Sequence, residues 1–239
     1  MNYNFIKCIE ENETVIIKMC NPADKNILTL DGMNEIFHAM DEYEAKENIK
    51  FLVLTGSEDC FCFGGRLGDR FSMTSEQILV FADTLVTLHK RLRHSKLYTI
   101  AAVNGLCGGG GFSVMEACDF AVCSDKSTFE FPEIHSGLAP MLSIAAVTEI
   151  LPKKVCLEMF AFGKVLSSAE ALNYGMVNKV TTGDVLKDTL AFIEPLAKQN
   201  EFALGLCKDF YLQCEDMDYA KRMEMGKHYL MSMVKSAKR

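Results

Sequence analysis

The chain lacks most of what would place it in a membrane, on nucleic acid or around a metal. No apolar run reaches the length of a membrane-spanning helix, and the opening Met1-Asn2-Tyr3-Asn4-Phe5 has no signal-peptide character. Basic residues are outnumbered, 25 Lys and Arg against 32 Asp and Glu, for a formal charge of -7. Phosphate backbones call for a basic face, so nucleic acid is not an expected partner. Ten cysteines are present but no CxxC pair: Cys60 and Cys62 are two apart, Cys118 and Cys123 five apart. That spacing argues against zinc, and with no export signal the thiols are expected to be reduced, in a cytoplasmic protein. Internal repeats and low-complexity stretches are absent as well. What is left is an acidic α/β chain of 239 residues, 49% hydrophobic, long enough for one large core and a helical C-terminal part.

The most informative stretch joins an apolar strand to an apolar helix through glycines: Val103-Asn104-Gly105-Leu106-Cys107-Gly108-Gly109-Gly110-Gly111-Phe112. Tyr98 to Val103 shows no polar alternation and predicts a strand buried on both faces, as in a parallel sheet. Phe112 to Cys118 predicts a short buried helix. No Lys-Ser or Lys-Thr follows the glycines, which argues against a phosphate loop, and no second βαβ half with an acidic ribose partner supports a dinucleotide site. Two readings remain open on these residues alone: a tight turn that needs glycine, or bare peptide N–H groups presented to a negative oxygen at a helix N-terminus.

Along the chain, Phe5 to Glu10 and Thr14 to Cys20 predict a hairpin around Glu11-Asn12-Glu13. Thr29 or Asp31 caps a helix with Met33, Ile36, Phe37 and Met40 at helical spacing. Phe51 to Leu54 is a second buried strand. The glycine-rich, aromatic run from Gly56 to Met73 has no period and reads as a loop at a strand's carboxyl end, where ligands usually bind. Its aromatics Phe61, Phe63 and Phe71 suggest an apolar pocket. Ser75 to Arg93 is a helix with Ile78, Phe81, Ala82, Leu85, Leu88 and Leu92 on one face and Lys90, Arg91 and Arg93 in the last turn, where the dipole favours them. Strands are expected at Asp119 to Cys123 and Ser127 to Phe131, a loop from Pro132 to Gly137, and a core helix from Met141 to Leu151. Lys153 to Phe162, Ser168 to Tyr174 and Val185 to Lys198 predict further helices, with Val177 to Val180 extended.

The order of these motifs, through Asn-Gly-x-x-x-Gly-Gly, Cys118-Asp119 and Phe129-x-Phe131-Pro132-Glu133, resembles the crotonase superfamily of enoyl-CoA hydratases and isomerases. The resemblance runs from about Ile16 to about Lys179. It implies a ClpP/crotonase-like α/β fold of repeated ββα units, with residues 1–185 as the core and 186–239 as a helical, trimerising region. It further implies a homotrimer or dimer of trimers, and a thioester of CoA or of an acyl-carrier protein as substrate, with no cofactor beyond the coenzyme A or phosphopantetheine of that substrate.

By position, the peptide N–H groups of Gly65 and Gly110 would hold the thioester oxygen as it becomes an enolate, and one such donor is typically worth about 3 kcal/mol of barrier. Hydratases of the family carry two glutamates; here the first position is Ser113 and the second is Glu133. Taken alone, Glu133 would be a solvated loop carboxylate; in this context, against Phe131, Ile134 and Leu138, it becomes a general acid/base. Phe63, Gly64, Arg66, Gly109, Ser113, Leu138 and Met141 complete the implied substrate site. Met141 stands where other branches place an aspartate, and a thioether is neither nucleophile nor base there.

One glutamate suffices to move a proton from C2 to C4, which implies double-bond isomerisation. The dehydratases of polyketide β-branching, which act on a carrier-bound hydroxymethylglutaryl unit, look similar in Phe61 to Gly64 and in Gly137-Leu138-x-Pro140. A homologue that binds acyl thioesters without turnover is a further alternative, favoured by Ser113 and by Arg66 where the family usually has Asp. The chain stops about where most members begin a final helix that contributes CoA contacts, which leans toward a carrier-protein substrate. Lys221, Arg222, Lys227, Lys235, Lys238 and Arg239 face either phosphates or solvent.

Overall fold

A computed structural model describes residues 3–65, 72–148 and 150–236 of the chain. It divides into two compact units, the first running through Phe192 and the second from Ile193. In the first unit the strands are β1 (Ile6–Glu11), β2 (Thr14–Met19), β3 (Phe51–Thr55), β4 (Cys60–Cys62), β5 (Tyr98–Val103), β6 (Leu106–Gly108), β7 (Phe120–Ser124), β8 (Thr128–Glu130), β9 (Leu166–Ser167) and β10 (Lys179–Thr181). Its helices are α1 (Leu30–Glu44), α2 (Ser75–Arg93), α3 (Gly110–Glu116), α4 (Met141–Val147), α5 (Lys153–Phe162) and α6 (Ser168–Asn173); α7 (Val185–Ala197) crosses the boundary.

Two sheets form, in the orders β1-β2-β3-β5-β7-β10 and β4-β6-β8-β9. The first is parallel except for the opening hairpin, and the second is parallel except at β9. Each turn of chain gives one strand to each sheet and then a helix: β3-β4-α2, β5-β6-α3 and β7-β8-α4. This is the repeated ββα arrangement of the crotonase fold.

The long strands are buried on both faces: Leu52, Val53, Leu54, Ile100, Ala101 and Ala102 have no exposed surface, and Leu52, Leu54 and Ala101 join one core with α1, α2, α3 and the small-sheet residues Phe61, Cys107 and Phe129. The two long helices are set by their caps. Thr29 Oγ1 accepts from the Gly32 amide at 3.0 Å, and Thr74 forms a reciprocal box with Gln77. Met33, Ile36 and Met40 are buried along α1, and Phe81, Leu85, Leu88 and Leu92 along α2.

Several expectations need correction. The Gly56–Met73 run is not all loop, since Cys60–Cys62 is a strand, and Leu106–Gly108 is another within the glycine junction. Three-residue strands are too short to show a period, and pairing with each other is what orders them. Ile78 is 38% exposed and Ala82 half-buried, so the buried stripe of α2 begins at Phe81. The core helix expected from Met141 to Leu151 is short: α4 ends at Val147, and Met141 is 62% exposed. Pro132–Ser136 is a 3₁₀ turn where a loop was expected.

In the second unit, α8 (Glu201–Cys214) and α9 (Tyr219–Ser236) bury no residue fully. Phe210 and Tyr229 meet at 5.0 Å between ring centroids, and the Tyr229 hydroxyl donates to Asp209. Lys221 and Lys227 pair with Asp218 and Glu224 of their own segment. Among the described residues no helix is long and apolar enough to cross a membrane, and all ten cysteines are free thiols.

Candidate active site

The site is assembled where the two glycine-rich connections meet: Asn104 of the later one ties it to the earlier, and Asn26 braces the earlier from outside. Asn26, 2% exposed, donates from Nδ2 to the carbonyls of Cys60 and Ser57 at 2.7 and 3.2 Å and accepts the Ser57 hydroxyl at 2.8 Å. Asn104 accepts the Gly56 amide at 3.1 Å and donates to the Cys60 carbonyl at 3.2 Å. These bonds satisfy buried polar groups of an irregular segment and lead it into β4, whose Cys62 lies in register with Cys107 of β6. The chain beyond β4 is thereby delivered to the start of α3.

There the backbones come close. The Gly65 nitrogen lies 3.5 Å from the position a β-carbon of Gly110 would take, and the Gly110 nitrogen 3.6 Å from that of Gly64. Among the described residues neither the Gly65 nor the Gly110 amide meets an acceptor. Gly109 is the residue before α3, with φ 51 and ψ −125, a conformation closed to most L side chains. Behind Gly65 stands Phe81 of α2, whose Cζ is 2.5 Å from the missing β-carbon.

Glu133 is carried by the 3₁₀ turn after β8. Its carboxylate occupies the space over Gly109: an added β-carbon there would collide with Oε1 and lie 3.2 Å from Oε2. Among the described residues, Oε2 is buried with no hydrogen-bond partner. Burial is the main cause that raises the Glu133 pKa, aided by the Glu130 carboxylate and opposed by a bond from its own amide. Phe131 beneath it is 1% exposed and stacks on Phe112 at 5.5 Å, while Ile134 and Leu138 are half-buried.

The other expected site residues separate. Phe63 is half-buried, packs against the Cα of Gly108, and carries the Lys25 ammonium 4.4 Å from its ring centre. Phe61 is fully buried and belongs to the core. Ser113 has no exposed surface, and its hydroxyl donates to the Gly110 carbonyl at 2.9 Å, along its own helix. Leu138 stands at the end of the Glu133 turn, its amide donating to the Glu133 carbonyl at 3.0 Å, and Met141 opens α4 on the surface. Arg66 and Phe71 lie outside the described residues.

The enoyl-CoA hydratase/isomerase family model matches residues 10–239. The chain belongs to this family. A relative among curated proteins, mevalonyl-coenzyme A hydratase of Aspergillus fumigatus, is 29% identical over 189 residues, 78% of this chain and 69% of the relative. The human mitochondrial enoyl-CoA hydratase domain-containing protein 3 is 30% identical over 82% of this chain and 66% of its own length. Among solved structures, an enoyl-CoA hydratase subunit of Geobacillus kaustophilus superposes with a TM-score of 0.88 at 27% identity, covering 97% of this chain and 90% of that one. As an enoyl-CoA hydratase/isomerase family member, the chain is an enzyme-class scaffold for acyl-CoA thioesters.

Sequence reading missed Phe81 and Asn26 as site-building residues. Neither carried a sequence signal: the φ of 51 at Asn26 is set by the fold, and Phe81 looked like any other core position of α2.

Proposed function

We propose that the chain moves a double bond in an acyl thioester by way of an enolate, with the Gly65 and Gly110 amides holding the oxygen and Glu133 as the single acid/base. The observation that carries this reading is one half-buried carboxylate over Gly109, beside the neighbouring Gly65 and Gly110 amides, which meet no acceptor among the described residues, with a serine where a second carboxylate would be needed to hold water. In a 3-enoyl thioester, Glu133 takes a proton from C2, the C3–C4 double bond shifts to C2–C3, and Glu133 returns the proton at C4. The charge that develops on the thioester oxygen is met by donors already in place, which lowers the barrier without reorganisation. No cofactor is required beyond the coenzyme A or phosphopantetheine of the substrate.

A second reading is dehydration of a β-branched 3-hydroxyacyl thioester, either on CoA or on a carrier protein. The similarity of Phe61 to Gly64 and Gly137 to Pro140 to the β-branching dehydratases favours it, as does a relative named for a mevalonyl thioester. A cytoplasmic homotrimer is the accompanying expectation, testable by sedimentation and localisation; one relative is mitochondrial.

The deciding experiment follows deuterium uptake at C2 and C4 of a 3-enoyl-CoA and of its carrier-protein thioester by mass spectrometry, for wild type and Glu133→Gln. Uptake and bond migration that fall about 10²- to 10⁴-fold in the variant support Glu133 as the base. Wild type that exchanges neither substrate rules out isomerisation; turnover of the hydroxymethylglutaryl thioester instead establishes the second reading.

A further inference from the structure

The turn that carries Glu133 buries none of its own residues, so its contacts with neighbouring elements bear on its place. It is seated on three bare α-carbons. Pro132 Cδ lies 3.2 Å from where a Gly108 β-carbon would be, and the Glu133 carboxylate covers Gly109. At the other end, His135 lies on Gly163, with Cε1 2.6 Å and Nε2 2.9 Å from the missing β-carbon. Gly163 closes α5 at φ 64, its amide donating to the Glu158 carbonyl, so its place is set by a helix end. Within the turn, the Gly137 amide reaches the Glu133 and Ile134 carbonyls, and the Leu138 amide reaches Glu133. Those bonds shape the turn.

We infer that His135 is a positioning residue: its imidazole, seated on the α-carbon of Gly163, holds the 3₁₀ turn so that the Glu133 carboxylate stays over Gly109 beside the amide pair. Pro132 fixes one end of the turn and His135 the other. The inference rests on the reading of Glu133 as acid/base, and on the fact that a displacement of about 1 Å at a reacting group can lower a rate by about a hundredfold.

Four variants test it: His135→Ala, His135→Phe, Gly163→Ala and the double variant, with Glu133→Gln as reference. His135→Ala is expected to lower kcat for C2 exchange about 10- to 100-fold with KM changed less than about twofold. His135→Phe keeps a flat ring on Gly163 and restores kcat to within about threefold by the same positioning argument. Gly163→Ala places a methyl where the ring sits, so its effect on kcat disappears in the His135→Ala background, while its strain at positive φ persists in thermal unfolding of both.

A second readout does not depend on turnover. The Glu133 carboxyl resonance, assigned by its loss in Glu133→Gln, titrates at lower pH in His135→Ala as the carboxylate leaves its buried seat. An unchanged Glu133 titration in His135→Ala, or a phenylalanine that restores nothing, overturns the inference. Exchange that survives in Glu133→Gln overturns the reading of the base instead, and the carboxyl titration then still decides the role of His135.

Discussion

The carboxylate of Glu133 stands where a β-carbon of Gly109 would be. Backbone and acid therefore share one space, and the absence of a side chain at Gly109 is a condition for the acid to reach the amide pair. The Gly109 amide donates to the Glu130 carbonyl at 3.0 Å, which ties the same glycine to the strand that leads into the Glu133 turn.

Gly109→Ala is accordingly expected to damage activity and stability together. The methyl displaces Glu133 Oε1, and a non-glycine residue at φ 51 costs about 1 kcal/mol or more. Thermal unfolding should register that loss, and C2 exchange should fall toward the level of Glu133→Gln. Full activity in Gly109→Ala would show that the carboxylate works from another place.

Gly65→Ala tests the first amide. The added methyl meets Phe81 Cζ at 2.5 Å, so the loop must move and carry its N–H away from the oxygen. Loss of one oxyanion donor typically lowers kcat about 10²- to 10³-fold. Shortening the ring with Phe81→Leu should return part of that loss in the double variant, and steady-state kinetics on all three proteins would measure it. A double variant no better than Gly65→Ala would mean that the clash is not what moves the amide.

The pH profile follows from the raised pKa of Glu133. Burial favours the neutral acid, yet a base works only when ionised, so exchange should fall as pH drops through a value above the ordinary glutamate pKa of about 4.3. Plotting log kcat/KM against pH locates that limb. A limb at or below the ordinary value would contradict a buried, desolvated carboxylate.

Glu116 gives a prediction for stability. It lies in α3 with Oε1 buried and, among the described residues, without a hydrogen-bond partner, and burial pushes its pKa up to about 8. The folded chain then holds a proton that the unfolded chain releases near pH 4.3. Stability from this group is complete below the unfolded value and is lost as pH rises towards about 8, with a slope of at most about 1.4 kcal/mol per pH unit. Glu116→Gln should flatten this slope and raise the unfolding temperature more at pH 8 than at pH 5. An equal effect at both values would place the carboxyl in contact with solvent.

Everything set by neighbours along the chain was legible in the amino-acid sequence. Unbroken apolar runs at Phe51 to Leu54 and Tyr98 to Val103 specify strands buried on both faces, and the spacing of Met33, Ile36 and Met40 together with Thr29 specifies α1. The glycine junction and the Pro-Glu turn were legible as motifs, and their order pointed to the family. Contacts between distant segments were not legible. Cys60–Cys62 becomes a strand only because Cys107 lies beside it, Phe81 matters only because Gly65 lacks a side chain, and Ser113 turns its hydroxyl to Gly110 because α3 is buried on every side there. The reason is physical: local propensity acts over a few residues, whereas the place of Glu133 over Gly109 depends on where two turns of the ββα repeat bring their backbones, and only packing decides that.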